Sequence, residues 1–323
     1  MESKRFGHAR TMRIAPGVLL TLVLTVCAWG ADAPQPIVAP KPTSTPKPTL
    51  AASDVVYAVD FDKTPVGPYG SYNLRKDWKN LADLFPEDAL MDRLEIVEGK
   101  DAFKGRSLRL MCPKGTAGGP TAGGAGWIMN LGKGNREMFL SYWVRFAPGF
   151  EYAGGGKLPG FCGGEFPKPG KGASTTGWSQ LIYWNAGRNH AICQYVYSLD
   201  QRDAYGDHFF WRADRPVAFQ PNIWSHVETR VVMNRPGQRD GILQSWANGR
   251  LVLDKRDMNW RNKDTVGVDQ FVFTVFFGGS GPEYESKKDE YIYFDNFVIS
   301  RKYAGPKVVL PEPEPPSTTP AAK

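Results

Sequence analysis

Between residues 53 and 304 the apolar positions recur every second residue, in short runs closed by Gly, Pro, Asn or Asp. This period predicts strands over Val55–Phe61, Ser107–Met111, Phe139–Phe146, Ser179–Trp184, Ile192–Tyr197, Trp224–Met233, Ile242–Trp246, Phe271–Phe277 and Tyr291–Ser300. Only Pro86–Arg93 reads as a short helix. Asn248-Gly249, between apolar runs ending at Trp246 and resuming at Leu251, is a two-residue hairpin signal. A second hairpin closing near Gly187-Arg188 would pair 179 with 197, 181 with 195 and 183 with 193, placing those side chains on one face. Many antiparallel strands without alternating helices predict an all-β fold. The expected form is a two-sheet antiparallel β-jelly roll, a concanavalin- or lectin-like sandwich, whose concave sheet forms a substrate cleft.

The ends read differently. Arg5, Arg10 and Arg13 precede an apolar run from Val18 to Trp29 that is too short to span a bilayer, and Ala28 and Gly30 are small. Residues 1–30 are expected to be a signal peptide and the mature protein secreted or periplasmic, with no membrane association after cleavage. Residues 31–52 and 305–323 are Pro-rich and carry too few apolar residues for a core, so they are expected to be a linker and a disordered tail around one domain at 53–304.

Composition sharpens the class. Thirty-five Gly, 26 Pro and 41 aromatic residues (10 Trp, 13 Tyr, 18 Phe) disfavour a helical bundle. Forty Lys and Arg against 33 Asp and Glu leave a net charge of +7, spread too evenly for a nucleic-acid-binding arm. An anionic partner other than nucleic acid, bound by a monomer, is expected. The chain lacks a Gly-x-Ser-x-Gly elbow, a Gly-Lys-Ser/Thr phosphate loop and a His-Glu-x-x-His zinc helix. Gly118–Gly126 is expected to be a surface loop. His190, His208 and His226 are too scattered for a metal set, and no strand carries the paired carboxylates of a jelly-roll glucanase. No metal or cofactor is expected. Asp60, Asp62 and Asp295 are assigned to turn and edge hydrogen bonds rather than to calcium.

One stretch carries more: Gly154-Gly155-Gly156-Lys157-Leu158-Pro159-Gly160, then Gly177-Trp178-Ser179, then Tyr195-Val196-Tyr197. A lysine in such a Gly-rich loop, followed by a Gly-aromatic-Ser strand and a Tyr-x-Tyr strand, resembles the family-fourteen polysaccharide lyases, which include jelly-roll alginate lyases. Weaker similarity continues through Tyr205-Gly206-Asp207, Phe276–Gly279 and Phe294-Asp295-Asn296-Phe297. The resemblance implies β-elimination on a uronate polysaccharide such as alginate. That reaction removes the C5 proton, neutralises the adjacent carboxylate and protonates the departing oxygen. On this resemblance Lys157 is the carboxylate clamp or enolate stabiliser, and Tyr195 or Tyr197 the base, the acid or both. Ser179 lies on the same wall.

Two residues after the Ser, the family pattern commonly has Arg, and this chain has Leu181. A bidentate carboxylate partner is missing there, so a weaker alginate subsite is expected unless Arg188, Arg202 or Arg212 compensates. His190 and His208 are reserve acid/base and substrate-binding candidates. Trp178, Trp184 and Trp211 would suit sugar stacking, and with Leu181 they support an alternative: a non-catalytic carbohydrate-binding jelly roll. Once the signal peptide removes Cys27, three thiols remain. The hairpin register puts Cys193 beside Tyr195 and the Lys157 loop carries Cys162, so a Cys162–Cys193 disulfide is expected.

Overall fold

The computed structural model describes Gln35–Pro36 and residues 50–306, apart from Ala213. The expected signal peptide and nearly all of the Pro-rich flanks lie outside these residues. Eighteen strands are described. In chain order they are β1 (Gln35–Pro36), β2 (Val55–Val59), β3 (Gly67–Pro68), β4 (Leu81–Phe85), β5 (Leu94–Glu98), β6 (Arg106–Cys112), β7 (Ala125–Asn130), β8 (Glu137–Phe146), β9 (Gly155–Gly164), β10 (Gly177–Asn185), β11 (Ala191–Tyr197), β12 (Asp207–Phe210), β13 (Val217–Ala218), β14 (Ser225–Val232), β15 (Gly241–Ala247), β16 (Arg250–Met258), β17 (Gln270–Phe277) and β18 (Glu290–Ser300). Seven form one antiparallel sheet in the order β12-β11-β10-β9-β17-β7-β4. Nine form the other, ordered β16-β15-β14-β8-β18-β6-β5-β3, with β2 beside β18. This is the two-sheet jelly roll that the period of two predicts.

The core between the sheets comes from alternate residues of each strand. Trp78 stacks on Phe271 with centroids 5.2 Å apart, Trp127 stacks on Phe273 at 3.7 Å, and Phe294 and Phe297 close over them. Aromatic rings of this size each contribute several kcal/mol of burial, order of magnitude ~2–3. A polar bridge crosses the same layer. Gln180 donates to Gln194, which donates to Thr229 Oγ1 (3.1 Å) and Ser245 Oγ (2.7 Å), tying the two sheets together.

Three features depart from the sequence expectations. The helical residues near Pro86–Arg93 shrink to Leu90–Arg93, while Ser71–Asp77 forms a helix that its short, mixed pattern does not announce. Gly118–Gly126 is not simply a surface loop: Pro120–Gly123 makes one helical turn and Ala125 opens β7. Most consequential, the Gly-rich segment bearing Lys157 is strand β9 in the middle of the seven-stranded sheet. Glycine suits it sterically, because a Cβ on Gly156 would overlap the Trp184 ring and one on Gly160 the Gln180 carbonyl.

Candidate active site

The β10–β11 hairpin pairs Ser179 with Tyr197, Leu181 with Tyr195 and Tyr183 with Cys193, the register expected from the sequence. Side chains alternate across the sheet, so Ser179, Leu181 and Tyr183 face the concave side with Tyr195 and Tyr197. On β9, Leu158 pairs with Ile182 but Gly160 pairs with Leu181, leaving Pro159 as an extra residue in a bulge. The buried Tyr142 hydroxyl donates to the Pro159 carbonyl at 3.3 Å. Below the bulge Lys157 turns into the same concavity. A cleft of ≈ 720 Å³ results, lined by Lys157, Ser179, Tyr183, Tyr195, Tyr197 and His208 on one side.

The Lys157 ammonium is wedged between rings, 3.5 Å from the Tyr195 centroid and 4.7 Å from that of Tyr183. Burial removes water that would solvate the charge and pulls the lysine pKa down to about 7, against a smaller opposing effect of Cys193. Burial acts in the other direction on the phenols and raises Tyr183, Tyr195 and Tyr197. Tyr195 is the exception in degree: its oxygen accepts the Gly206 N–H at 3.1 Å and lies 3.1 Å from the Tyr197 hydroxyl. Both bonds favour its anion and offset part of the burial effect. His208, paired with Tyr195 across β11 and β12, sits with its ring 5.1 Å from that of Tyr195. Its pKa is lowered by burial and by Lys157.

The remaining candidates fall elsewhere. Trp178 and Trp184 occupy the opposite parity on β10 and are fully buried in the core, donating to the Gly267 (3.1 Å) and Tyr152 (2.9 Å) carbonyls. Trp211 is buried as well, so none offers a ring for sugar stacking. His190 packs against Tyr152 at the hairpin tip, 5.0 Å between rings, outside the cleft lining. Arg188 lies over Phe210 at 4.4 Å, Arg202 pairs with Asp207 at 3.3 Å and Arg212 with Asp214 at 3.8 Å. Among the described residues, no arginine lines the cleft. Cys112, Cys162 and Cys193 are all free. The expected Cys162–Cys193 bond fails because Cys162 pairs with Ser179 on β9 and Cys193 with Tyr183 on β11. Two strand spacings and four residues separate them, roughly 10 Å across and 13 Å along the sheet, beyond disulfide reach.

Sequence reasoning did not assign Tyr183 a role, although its parity with Ser179 and Leu181 marks it. Glu283 and Tyr284 also line the cleft, from a loop with no local motif. Asp60, Asp62 and Asp295 hold the Asp62 amide (3.2 Å), the Arg106 amide (2.8 Å) and the Ser107 hydroxyl (2.8 Å) respectively.

The polysaccharide lyase 14 family profile matches residues 100–297, more than half of the chain. No curated protein matches it in sequence. Among solved structures, alginate lyase Aly36B is similar, at 27% identity and a TM-score of 0.65 over 76% of this chain and 96% of that one. A lysine and tyrosine double-alanine mutant of the same enzyme, in complex with alginate tetrasaccharide, aligns at 26% identity, with a TM-score of 0.66 and the same coverage. The marine PL-14 alginate lyase from Aplysia kurodai shares the fold at 22% identity, with a TM-score of 0.61 over 77% of this chain and 99% of that one.

Proposed function

The chain belongs to polysaccharide lyase family 14, and from that premise we propose that it cleaves alginate or a related polyuronate by β-elimination, with Lys157 as base and Tyr195 as acid. The observation that carries the reading is a lysine amine 3.5 Å from the ring centroid of a hydrogen-bonded tyrosine, inside a cleft. The sequence-based division of roles, a tyrosinate base beside a lysine clamp, needs Lys157 charged and a tyrosine deprotonated. Burial opposes both. A lysine with a pKa near 7 accepts a proton readily at neutral pH. In this scheme its Nζ takes the C5 proton, the C5 electron pair forms the C4–C5 double bond, and the C4–O4 bond breaks. O4 takes the Tyr195 proton. The resulting phenolate is held by the Gly206 N–H and the Tyr197 hydroxyl, beside the newly formed Lys157 ammonium. Ser179 and His208 supply hydrogen bonds to the substrate carboxylate.

The mutant complex supports the assignment, since a lysine and a tyrosine were replaced in the Aly36B structure that holds alginate tetrasaccharide. A purely carbohydrate-binding role loses its main support with the burial of Trp178, Trp184 and Trp211. The basic net charge suits an anionic polysaccharide. Export through residues 1–30, action as a monomer and a domain near 53–304 complete the proposal. Ultraviolet absorbance of the unsaturated uronate, followed on alginate, glucuronan and other polyuronates, tests it. Elimination on at least one is expected, and none on any would refute it.

A further inference from the structure

The strand registers define one continuous row across the concave sheet: His208, Tyr195, Leu181, Gly160, Val272, Ile128 and Asp83. Its character changes at Leu181. From β12 to β9 the cleft presents His208, the tyrosines, Ser179 and Lys157; from β17 to β4 it presents Val272, Phe276, Ile128 and Phe85, with Thr274 the one polar strand residue among them. Gly160 contributes no side chain at the centre of the row, so Leu181 and Val272 meet over it and pack with Cys162 and Ile128. Leu181 and Val272 form a nearly buried floor, 4% and 1% exposed, while Ile128 and Phe85 are partly exposed and Phe166 is 39% exposed along the cleft. At about 4.8 Å per strand, this apolar lobe begins roughly 5 Å from Tyr195 and extends to about 24 Å.

Sugar hydroxyls and uronate carboxylates gain nothing from such a surface, and desolvating them against it is costly. The basic groups of the cleft lining, Lys157 and His208, both stand on the other side, away from the lobe. We propose that the lobe is a subsite for ester-linked acyl groups, so that the preferred substrate is a polyuronate O-acylated on its ring hydroxyls. This inference rests on the lyase reading above. An acetyl methyl pressed against Leu181, Val272 and Ile128 replaces a hydroxyl that would lose its water, and the position expected to carry a carboxylate-binding arginine becomes part of the acyl surface.

The test compares O-acetylated alginate with the same preparation after mild alkaline deacetylation, matched in chain length, using release of the unsaturated uronate. The full chain is expected to show kcat/KM about fourfold or more higher on the acetylated polymer, the gain of burying one methyl-sized group. In Ile128→Thr, which keeps a β-branched strand residue, the ratio of the two rates should fall toward one. Because both rates come from one preparation, a partly folded variant does not distort their ratio. Equal or faster cleavage of the deacetylated polymer would overturn the acyl subsite and leave the lyase reading intact. An unchanged preference in Ile128→Thr would also overturn it. Failure on both polymers and on every other polyuronate would remove the lyase reading and this inference with it.

Discussion

Lys157 and Cys162 are five residues apart on β9 yet lie on the same side of the sheet. In a regular strand an odd separation puts two side chains on opposite faces. The bulge at Pro159 absorbs one residue, so Lys157, Gly160 and Cys162 share the concave side while Leu158 and Phe161 enter the core. The polar half of the cleft therefore depends on one irregular backbone step.

Deleting Pro159 leaves Lys157 and Cys162 an even four residues apart, so a regular β9 is expected to keep Lys157 on the concave side. Elimination should persist, with a stability loss of about 1 kcal/mol in thermal unfolding from the missing Tyr142–Pro159 hydrogen bond. Loss of elimination as complete as in Lys157→Ala would show that the bulge itself, and not parity alone, places the amine.

Lys157→Ala should lower turnover by about two orders of magnitude or more. Lys157→Met should stabilise the fold at pH 6 to 7. The native state releases the lysine proton near pH 7 and the unfolded chain near 10.5. Between these values the unfolded chain binds more protons, so wild-type stability rises with pH. The advantage of Met over Lys, up to about 4 kcal/mol at the low end, should fade as pH approaches 10.5. Denaturant midpoints across that range check it.

The rate should follow the same titration. With Lys157 as base, kcat/KM rises through pH 7 as the amine loses its proton; with Lys157 as a charged clamp, it falls there. A falling limb near 7 that disappears in Lys157→Met would reject the base assignment.

Tyr195→Phe should reduce kcat by about a hundredfold or more. Tyr197→Phe, which removes one of two hydrogen-bond partners of the Tyr195 oxygen, should cost about tenfold. The reverse order would make Tyr197 the proton donor.

Leu181→Arg should lower the Michaelis constant on unacetylated alginate. A charge-assisted pair contributes roughly 1.5–3 kcal/mol, or about ten- to a hundredfold in binding. Leu181 is packed against Val272 and Cys162, so a stability loss of about 1–3 kcal/mol should accompany it. No gain on alginate would mean that position 181 does not reach the carboxylate.

A fragment covering 53–304 should be less stable than one covering 50–306. Leu50 is buried against Val298 and Ala304, and the buried Glu228 carboxylate accepts the Ala304 and Gly305 amides, both at 2.7 Å. Ending the chain at Ala304 removes one of these donors and places a terminal carboxylate beside Glu228. The expected cost is about 1–3 kcal/mol in chemical denaturation; indistinguishable midpoints would show that these contacts add nothing.

Much of the fold was readable from the chain because strand parity is local. The alternation in Phe139–Phe146 and Phe271–Phe277 marked β8 and β17, Asn248-Gly249 marked the β15–β16 turn, and the 179–197 register followed from hairpin geometry alone. The same parity brought Ser179, Leu181, Tyr195 and Tyr197 to one wall. What tertiary structure decided was non-local. A run of glycines carries no alternation, so Gly155–Gly164 became a strand only where Trp184 and the Gln180 carbonyl press against it. Parity assigns Trp178 and Trp184 to the face opposite Ser179, but the second sheet made that face the core. The family resemblance makes Lys157 a charged clamp; burial beside Tyr183 and Tyr195, residues distant in sequence, lowers its pKa to about 7 and is the physical reason it is proposed as the base.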